Sequence, residues 1–181
     1  GKITIKNLLT MTSGLDWDES YQNPLGEMAE AYYGSTLRKT TLRQKLVRTP
    51  GSRHQYQSGA TELLGLVLAQ ATQRPLAQYA SEKLWIPLGA ERDALWSVDT
   101  DDGVEKAYCC FSARARDFAR VGQLLLNRGQ WPDAAGVPQQ LLNREFLREM
   151  TTPHGIPDAS GKPVDYYGYQ IWLLPTAHGT V

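Results

Sequence analysis

Cysteine is nearly missing from this 181-residue sequence: Cys109 and Cys110 are the only two, and they are adjacent. Bridging neighbouring cysteines strains disulfide geometry, so the pair reads as two packed thiols. Neither cysteine has the paired spacing of a zinc site, and no cluster of residues supports a metal or a nucleotide, so no cofactor is expected. Excess charge of one sign is missing as well, since 19 basic residues face 19 acidic ones. That balance argues against an electrostatic surface for nucleic acid or anionic lipid. No apolar run approaches the roughly 20 residues that span a bilayer, so no membrane partner is expected. The stretch from Gly1 to Thr12 lacks the charged-then-apolar pattern of a secretory leader.

What is present is ordinary globular composition, 41% hydrophobic and 21% charged, at the size of one domain. Helical signals dominate. Ile5 to Ser13 is the first readable element, closed by Gly14. Asn23-Pro24 is a cap-plus-first-turn signal for a helix that runs through Glu27 and Ala31 to Gly34. Another helix is expected from Thr41 to Arg48, ended by Pro50-Gly51. The clearest starts at Ser58, which is placed to cap it, with Glu62 in the first turn where negative charge suits the helix dipole. Leu63, Leu64, Val67, Leu68 and Ala71 recur there at helical spacing and predict one buried face. Pro75 to Trp85, a helix capped by Ser112 with Phe118, Val121, Leu124 and Leu125 as its buried stripe, and Pro138 to Met150 complete the helical set. Strand signals are few: Ala94 to Val98, Lys106 to Phe111 and Tyr167 to Leu174. Gly129 to Gly136 and Thr152 to Asp165 are rich in Pro, Gly and Asp and read as surface loops.

One segment carries chemistry. Pro50-Gly51-Ser52-Arg53-His54-Gln55-Tyr56-Gln57-Ser58 leads straight into the strongest helix. A tyrosine two residues before the helix start sits near the partial positive charge of a helix N-terminus. With a lysine nearby, that position biases a phenol toward phenolate, which can take a proton from a serine hydroxyl. Read without further context, such an aromatic staples the loop onto the helix.

Wider matches favour the chemical reading. Tyr56-Gln57-Ser58, followed by Glu62-Leu63-Leu64-Gly65, resembles the second motif of the serine β-lactamase and penicillin-binding-protein-like hydrolases. Leu8-Leu9-Thr10-Met11-Thr12-Ser13-Gly14-Leu15, Leu84-Trp85-Ile86-Pro87-Leu88-Gly89-Ala90, the run from Ser112 to Arg120 with Leu124 to Asn127, and Gly168 to Leu174 resemble further segments of that superfamily, in family order. Gly89-Ala90-Glu91-Arg92-Asp93-Ala94-Leu95-Trp96 and the acidic Asp18-to-Pro24 loop around Tyr21 are most similar to the 6-aminohexanoate-dimer hydrolase-like branch.

The resemblance implies an α+β fold, here the mostly helical lobe of the β-lactamase/DD-peptidase-like architecture, with a few short strands and the main antiparallel sheet largely missing. It implies a bacterial hydrolase that attacks an amide or ester carbonyl with a serine and passes through an acyl-enzyme. Tyr56 would be the proton shuttle, and Ser58 would hold the hydrogen-bond network. Tyr21 would touch the substrate or its leaving amine. Glu105, Tyr108 and Cys110 are candidate cleft-lining residues by the same analogy. The partner implied is a small-molecule amide or ester, and a periplasmic location fits the family. Outside that scheme, His54 reads as a solvated loop histidine and the Arg114, Arg116, Arg120 set as a solvated, ion-paired helix face.

The superfamily nucleophile lies in Ser-x-x-Lys, and no serine of this sequence has lysine at the third following position. A third motif, Lys-Thr-Gly or His-x-Gly, is also lacking. His178-Gly179-Thr180 has the letters without the spacing, and Lys39-Thr40-Thr41 fails likewise. Residues 1–181 are therefore expected to be a single partial domain of a longer protein, inactive by itself. A catalytically inactive binding module and a DD-peptidase-like protein are the alternatives.

Overall fold

The computed structural model describes residues 2–176 and 179–180. Thr4 opens α1 (Ile5–Leu9) with a capping box: its hydroxyl accepts from the Asn7 N–H while the Asn7 side chain accepts from the Thr4 N–H. Then come α2 (Glu27–Tyr33), α3 (Leu37–Leu42), α4 (Ser58–Thr72) and α5 (Leu76–Ala80), which runs on into a π-helical turn, Ser81–Trp85. The rest comprises α6 (Ala115–Leu126), α7 (Arg144–Met150) and three two-stranded antiparallel ribbons. These ribbons pair β1 (Leu95–Trp96) with β2 (Phe111–Ser112), β3 (Gln130–Pro132) with β4 (Pro138–Gln140), and β5 (Pro175–Thr176) with β6 (Gly179–Thr180). A helical lobe with short strands is the expected class.

Several local expectations shift. The helix expected over Thr41–Arg48 is α3, ending at Leu42. Arg43 closes it in a turn and the chain beyond is not helical, with Leu46 bridging Leu15 and Lys45 N–H donating to Asp16. Pro138 to Met150 is not one helix. Its first residues pair with Gln130–Pro132 in a hairpin that turns at Gly136 (φ +79°), and Asn143 then caps α7. Tyr167 to Leu174 is not a strand either. Gly168 N–H bonds to Ile171 O and Gln170 adopts φ +55°, so the segment doubles back and only Tyr167 and Trp172 bridge. Ser112 lies in β2 and caps nothing, and α6 starts three residues later.

Two buried clusters flank α4. One holds Leu8, Met11, Ala60, Val164 and Tyr167; the other holds Trp17, Met28, Ala31 and Leu37, with Val104 and Tyr108 packed against it. The helix is buried through Gly59, Ala60, Glu62, Gly65 and Leu66, not through the stripe its leucines predict: Val67 and Leu68 are exposed. Small residues win because neighbours come very close. A Cβ on Gly59 would lie 2.3 Å from the Trp17 ring, and one on Gly65 would lie 2.5 Å from Ala107 Cβ. On α6 the buried positions are Leu124 and Asp117, while Phe118 is exposed. Asp117 accepts the Glu91 N–H, and Glu91 in turn pairs with Arg114, Arg116 and Arg120. The arginine set is thus ion-paired, as expected, chiefly through Glu91. Hydrogen bonds from Arg120 foremost hold the Glu91 carboxyl below its usual range.

Cys109 and Cys110 form a disulfide with each other, with Cα atoms 3.8 Å apart. The packed-thiol expectation is therefore overturned. Cys110 lies at φ +66°, and its carbonyl accepts the Ser97 N–H across the β1–β2 ribbon. Among the described residues no helix is long and apolar enough to cross a membrane, and no group of three or more His, Cys, Asp or Glu could hold a metal ion.

Candidate active site

Gln57 joins the two strongest sequence blocks. It is buried; its Oε1 accepts from Ser13 Oγ at 3.0 Å, and its Nε2 donates to Leu15 O at 3.0 Å and Trp17 O at 3.2 Å. The Ser13-Gly14-Leu15 turn is thereby tied to the Tyr56-Gln57-Ser58 segment. Gly14 is required at φ +77°, because a Cβ there would lie 2.3 Å from Arg48 O.

Ser58 opens α4 but does not cap it. Gln57 holds the cap position and makes no side-chain cap. The orphan N–H of Ser58 is instead taken by Glu19 Oε2 at 2.7 Å, and the Ser58 hydroxyl donates to Glu19 Oε1 at 2.6 Å. The same carboxylate receives Trp17 Nε1 at 3.0 Å and the Tyr21 hydroxyl at 2.9 Å. An acidic group at a helix N-terminus suits the dipole, and here Glu19 fills that place in the role expected of Glu62. Glu19 thus joins Tyr21, 75% exposed on its loop, to the buried Ser58. Sequence reasoning missed it. The signal was the acidic loop itself, read only for its tyrosine.

Tyr56 lies in an aromatic nest outside the Leu63–Leu64–Val67 face. Its ring stacks on Trp172 at 5.4 Å between centroids and meets Tyr167 edge-on at 6.2 Å. The Tyr167–Trp172 turn is brought there by Gln170, whose N–H donates to Leu9 O, whose Nε2 donates to Leu8 O and whose Oε1 accepts from Thr61. Burial first, and then the charge of Glu19, raise the Tyr56 phenol above its ordinary value. The helix N-terminus does not bias it toward phenolate, because the Ser58 N–H is occupied by a carboxylate. A phenolate here needs a cation that the described residues do not supply. Tyr21 is likewise raised, by burial first and then by its hydrogen bond to Glu19, with Tyr56 near enough to contribute electrostatically.

Tyr56, Ser58 and Tyr21 therefore share one neighbourhood. Of the residues named by analogy, Tyr108 lies within electrostatic reach of Tyr21 and Glu19, while Glu105 and Cys110 make other contacts. Glu105 is buried and its Oε1 accepts the Ala77 N–H at 2.9 Å, capping α5. Tyr108 packs against the Trp17 cluster; burial and then the charge of Glu62 raise its phenol, and its buried hydroxyl has no partner among the described residues. Cys110 is held in the disulfide, so it presents no free thiol. His54 is not solvated. It is buried, with Nδ1 3.1 Å from Thr10 O and its ring stacked on His154. Burial lowers the pKa of both histidines, that of His154 to about 4. His178 lies outside the described residues.

Glu62 is a second polar residue that the dipole argument misplaced. It faces inward and is 1% exposed; Oε2 accepts the Ala107 N–H at 2.8 Å, and Oε1 has no partner among the described residues. Burial pushes its carboxyl up to about 7.

Known proteins share this arrangement of elements. The 6-aminohexanoate-dimer hydrolase of Paenarthrobacter ureafaciens is 28% identical over 194 residues, an alignment covering 98% of this chain and 48% of that protein. A Bacillus anthracis structure provisionally named a 6-aminohexanoate-dimer hydrolase superposes with a TM-score of 0.82 at 26% identity, over 99% of this chain and 49% of that one. A penicillin-binding protein from Bacillus halodurans shares the fold at a TM-score of 0.67 and 20% identity, over 98% of this chain and 60% of that one. The chain thus spans about half the length of the 6-aminohexanoate-dimer hydrolase relatives it matches. The beta-lactamase family model matches residues 1–178, and the chain belongs to that family.

Proposed function

We propose that residues 1–181 form one partial domain, the helical lobe of a serine hydrolase that cleaves an amide or ester bond of a small molecule through an acyl-enzyme. The observation that carries the reading is that Ser58 and Tyr21 share the Glu19 carboxylate at the start of α4, with the Tyr56 phenol close enough to feel the same charge. The nucleophilic serine and its lysine stand on residues outside this segment. In the proposed sequence Tyr56, its phenol lowered by that lysine, takes the serine proton as the oxygen attacks the carbonyl. It returns a proton to the leaving group as the tetrahedral centre collapses. Tyr21 lies against the leaving group. Similarity to 6-aminohexanoate-dimer hydrolases favours a linear amide as substrate.

The test is Tyr56→Phe in the full-length protein. Loss of a general base should lower kcat by about a hundredfold or more, with the melting temperature almost unchanged, because the ring stacked on Trp172 remains. An unchanged kcat would remove Tyr56 from the chemistry. A wild-type protein that never forms an acyl-enzyme with p-nitrophenyl esters or short amides would favour the binding-module alternative.

A further inference from the structure

His54 stands two residues before Tyr56, and a hairpin bridged at Pro157 and Pro163 is fastened to it. The backbone supplies one bond, from His54 N–H to Pro157 O at 2.8 Å. The rings supply a chain of two more. Ile156 N–H donates to His154 Nδ1 at 3.0 Å, so that nitrogen is bare and the single proton of a neutral His154 sits on Nε2. From there it reaches His54 Nδ1 at 3.2 Å. Thr10 O, at the end of α1, lies 3.1 Å from the same Nδ1 and competes for it as an acceptor. This chain of bonds has no room for another proton. On His154 a proton lands on Nδ1 and meets the Ile156 N–H. On His54 it lands on Nδ1, turns to Thr10 O and meets the His154 N–H. Either event breaks a link that holds the hairpin.

Packing connects the two rings to Tyr56. The Tyr167 ring lies 5.3 Å from His54, 6.4 Å from His154, 6.2 Å from Tyr56 and 5.1 Å from Trp172, between centroids. Its carbonyl accepts the His154 N–H. Resting on the hydrolase reading above, we propose that His54 and His154 are positioning residues for Tyr56, which hold the hairpin and the Tyr167–Trp172 nest against it only while both rings are neutral. Acid then loosens the nest from behind and shifts the phenol. Nothing at contact distance favours the charged rings: among the described residues neither histidine makes an ion pair. Asp158 favours a charged His54 from further off, but its carboxylate is taken up by Ser160 and Lys162 in its own turn. Beside His154, Glu149 accepts the Tyr169 hydroxyl and Lys6 lies over the Tyr169 ring. Arg53 donates to Gln55, and Tyr166 meets His54 edge-on. Burial lowers both histidines from 6.5, His154 to about 4. A group lowered on folding gives stability that is lost as pH falls, so the hold weakens below about pH 6.5 and is largely lost once pH passes about 4.

The experiment uses the full-length protein. Backbone hydrogen exchange is followed at about pH 7 and about pH 4.5, corrected for the intrinsic rate at each. In acid the Gly155, Ile156 and Val164 amides should lose protection about tenfold or more, while amides inside α4 keep theirs. The Tyr56 ring resonances should move with the hairpin. His154→Gln takes up no proton, and its amide can turn either N–H or oxygen to His54, so hairpin and Tyr56 should then respond little to acid. Wild-type protection unchanged in acid overturns the proposal. So does a loss as large in His154→Gln as in the wild type, or a hairpin that opens while Tyr56 stays still. Should the variant not fold, nitrogen NMR of the wild-type histidine rings decides: an Nδ1–H tautomer of His154, or an ordinary histidine titration, overturns it. Turnover tests the hydrolase reading separately. The acid limb of kcat should follow hairpin opening, with KM changing less, and should move to lower pH in His154→Gln; an identical limb in both proteins overturns the proposal. A wild type inert toward amides and esters at every pH, with the acid response of hairpin and Tyr56 intact, would remove the hydrolase and keep the positioning.

Discussion

Glu62 offers a sharp test of the interior. Its carboxyl is 1% exposed, it has one backbone hydrogen bond, and Oε1 has no partner among the described residues. Burial raises the carboxyl from 4.5 to about 7, with Asp99 and Glu105 adding repulsion. The folded state then holds a proton that the unfolded state releases between those values. Where the folded protein binds more protons, stability falls as pH rises. The wild type should therefore lose stability from about pH 4.5 up through about pH 7 and level off above it. The full shift corresponds to roughly 3 kcal/mol, and relaxation around the charge reduces it, so about 1–3 kcal/mol is expected. Glu62→Gln keeps the shape and the acceptor for the Ala107 N–H, and it cannot ionise. Urea denaturation of both proteins at pH 5 and pH 8 reads the difference. At pH 8 the variant should be more stable by about 1–3 kcal/mol, and at pH 5, just above the unfolded carboxyl's value, by only about a quarter of that. A gap of equal size at both pH values would refute the reasoning, because it would mean that Glu62 does not change charge across the window.

Two further predictions concern packing and redox state. Gly59→Ala places a methyl 2.3 Å from the Trp17 ring and should cost about 1–3 kcal/mol in urea melts, with a red shift of tryptophan emission as Trp17 is pushed from its pocket; unchanged stability and emission would contradict the close packing. Without reductant, Cys109 and Cys110 should resist iodoacetamide in denaturant, and after a dithiol reductant both should alkylate; alkylation of both before reduction would restore the two-thiol reading.

The sequence by itself carried the fold class, the order of the family segments and the α4 motif, because these depend on local signals: capping residues, glycines at turns and a run of matching motifs. It also singled out Tyr56, Ser58 and Tyr21, which folding brings near one another although 35 residues separate Tyr21 from Tyr56. Side-chain destinations were not legible. Helical spacing predicts a buried leucine stripe on α4, but Trp17 and Ala107 press so closely that Gly59 and Gly65 take the inward face. Glu62 sits at a helix start in the sequence and looks like a dipole partner, yet the turn of the helix points it inward. Glu19 is one acidic loop residue among several until folding brings Ser58 against it, 39 residues away. The Tyr167–Leu174 pattern suits a strand, but hydrogen bonds from Gln170 to Leu8 and Leu9 fold it back and set Trp172 on Tyr56. Hydrogen-bond partners and close contacts between distant segments belong to the tertiary structure, because periodicity and capping act over only a few residues. Burial and neighbouring charge, which raise Glu62 and Tyr56, come only from what the folded chain packs around them.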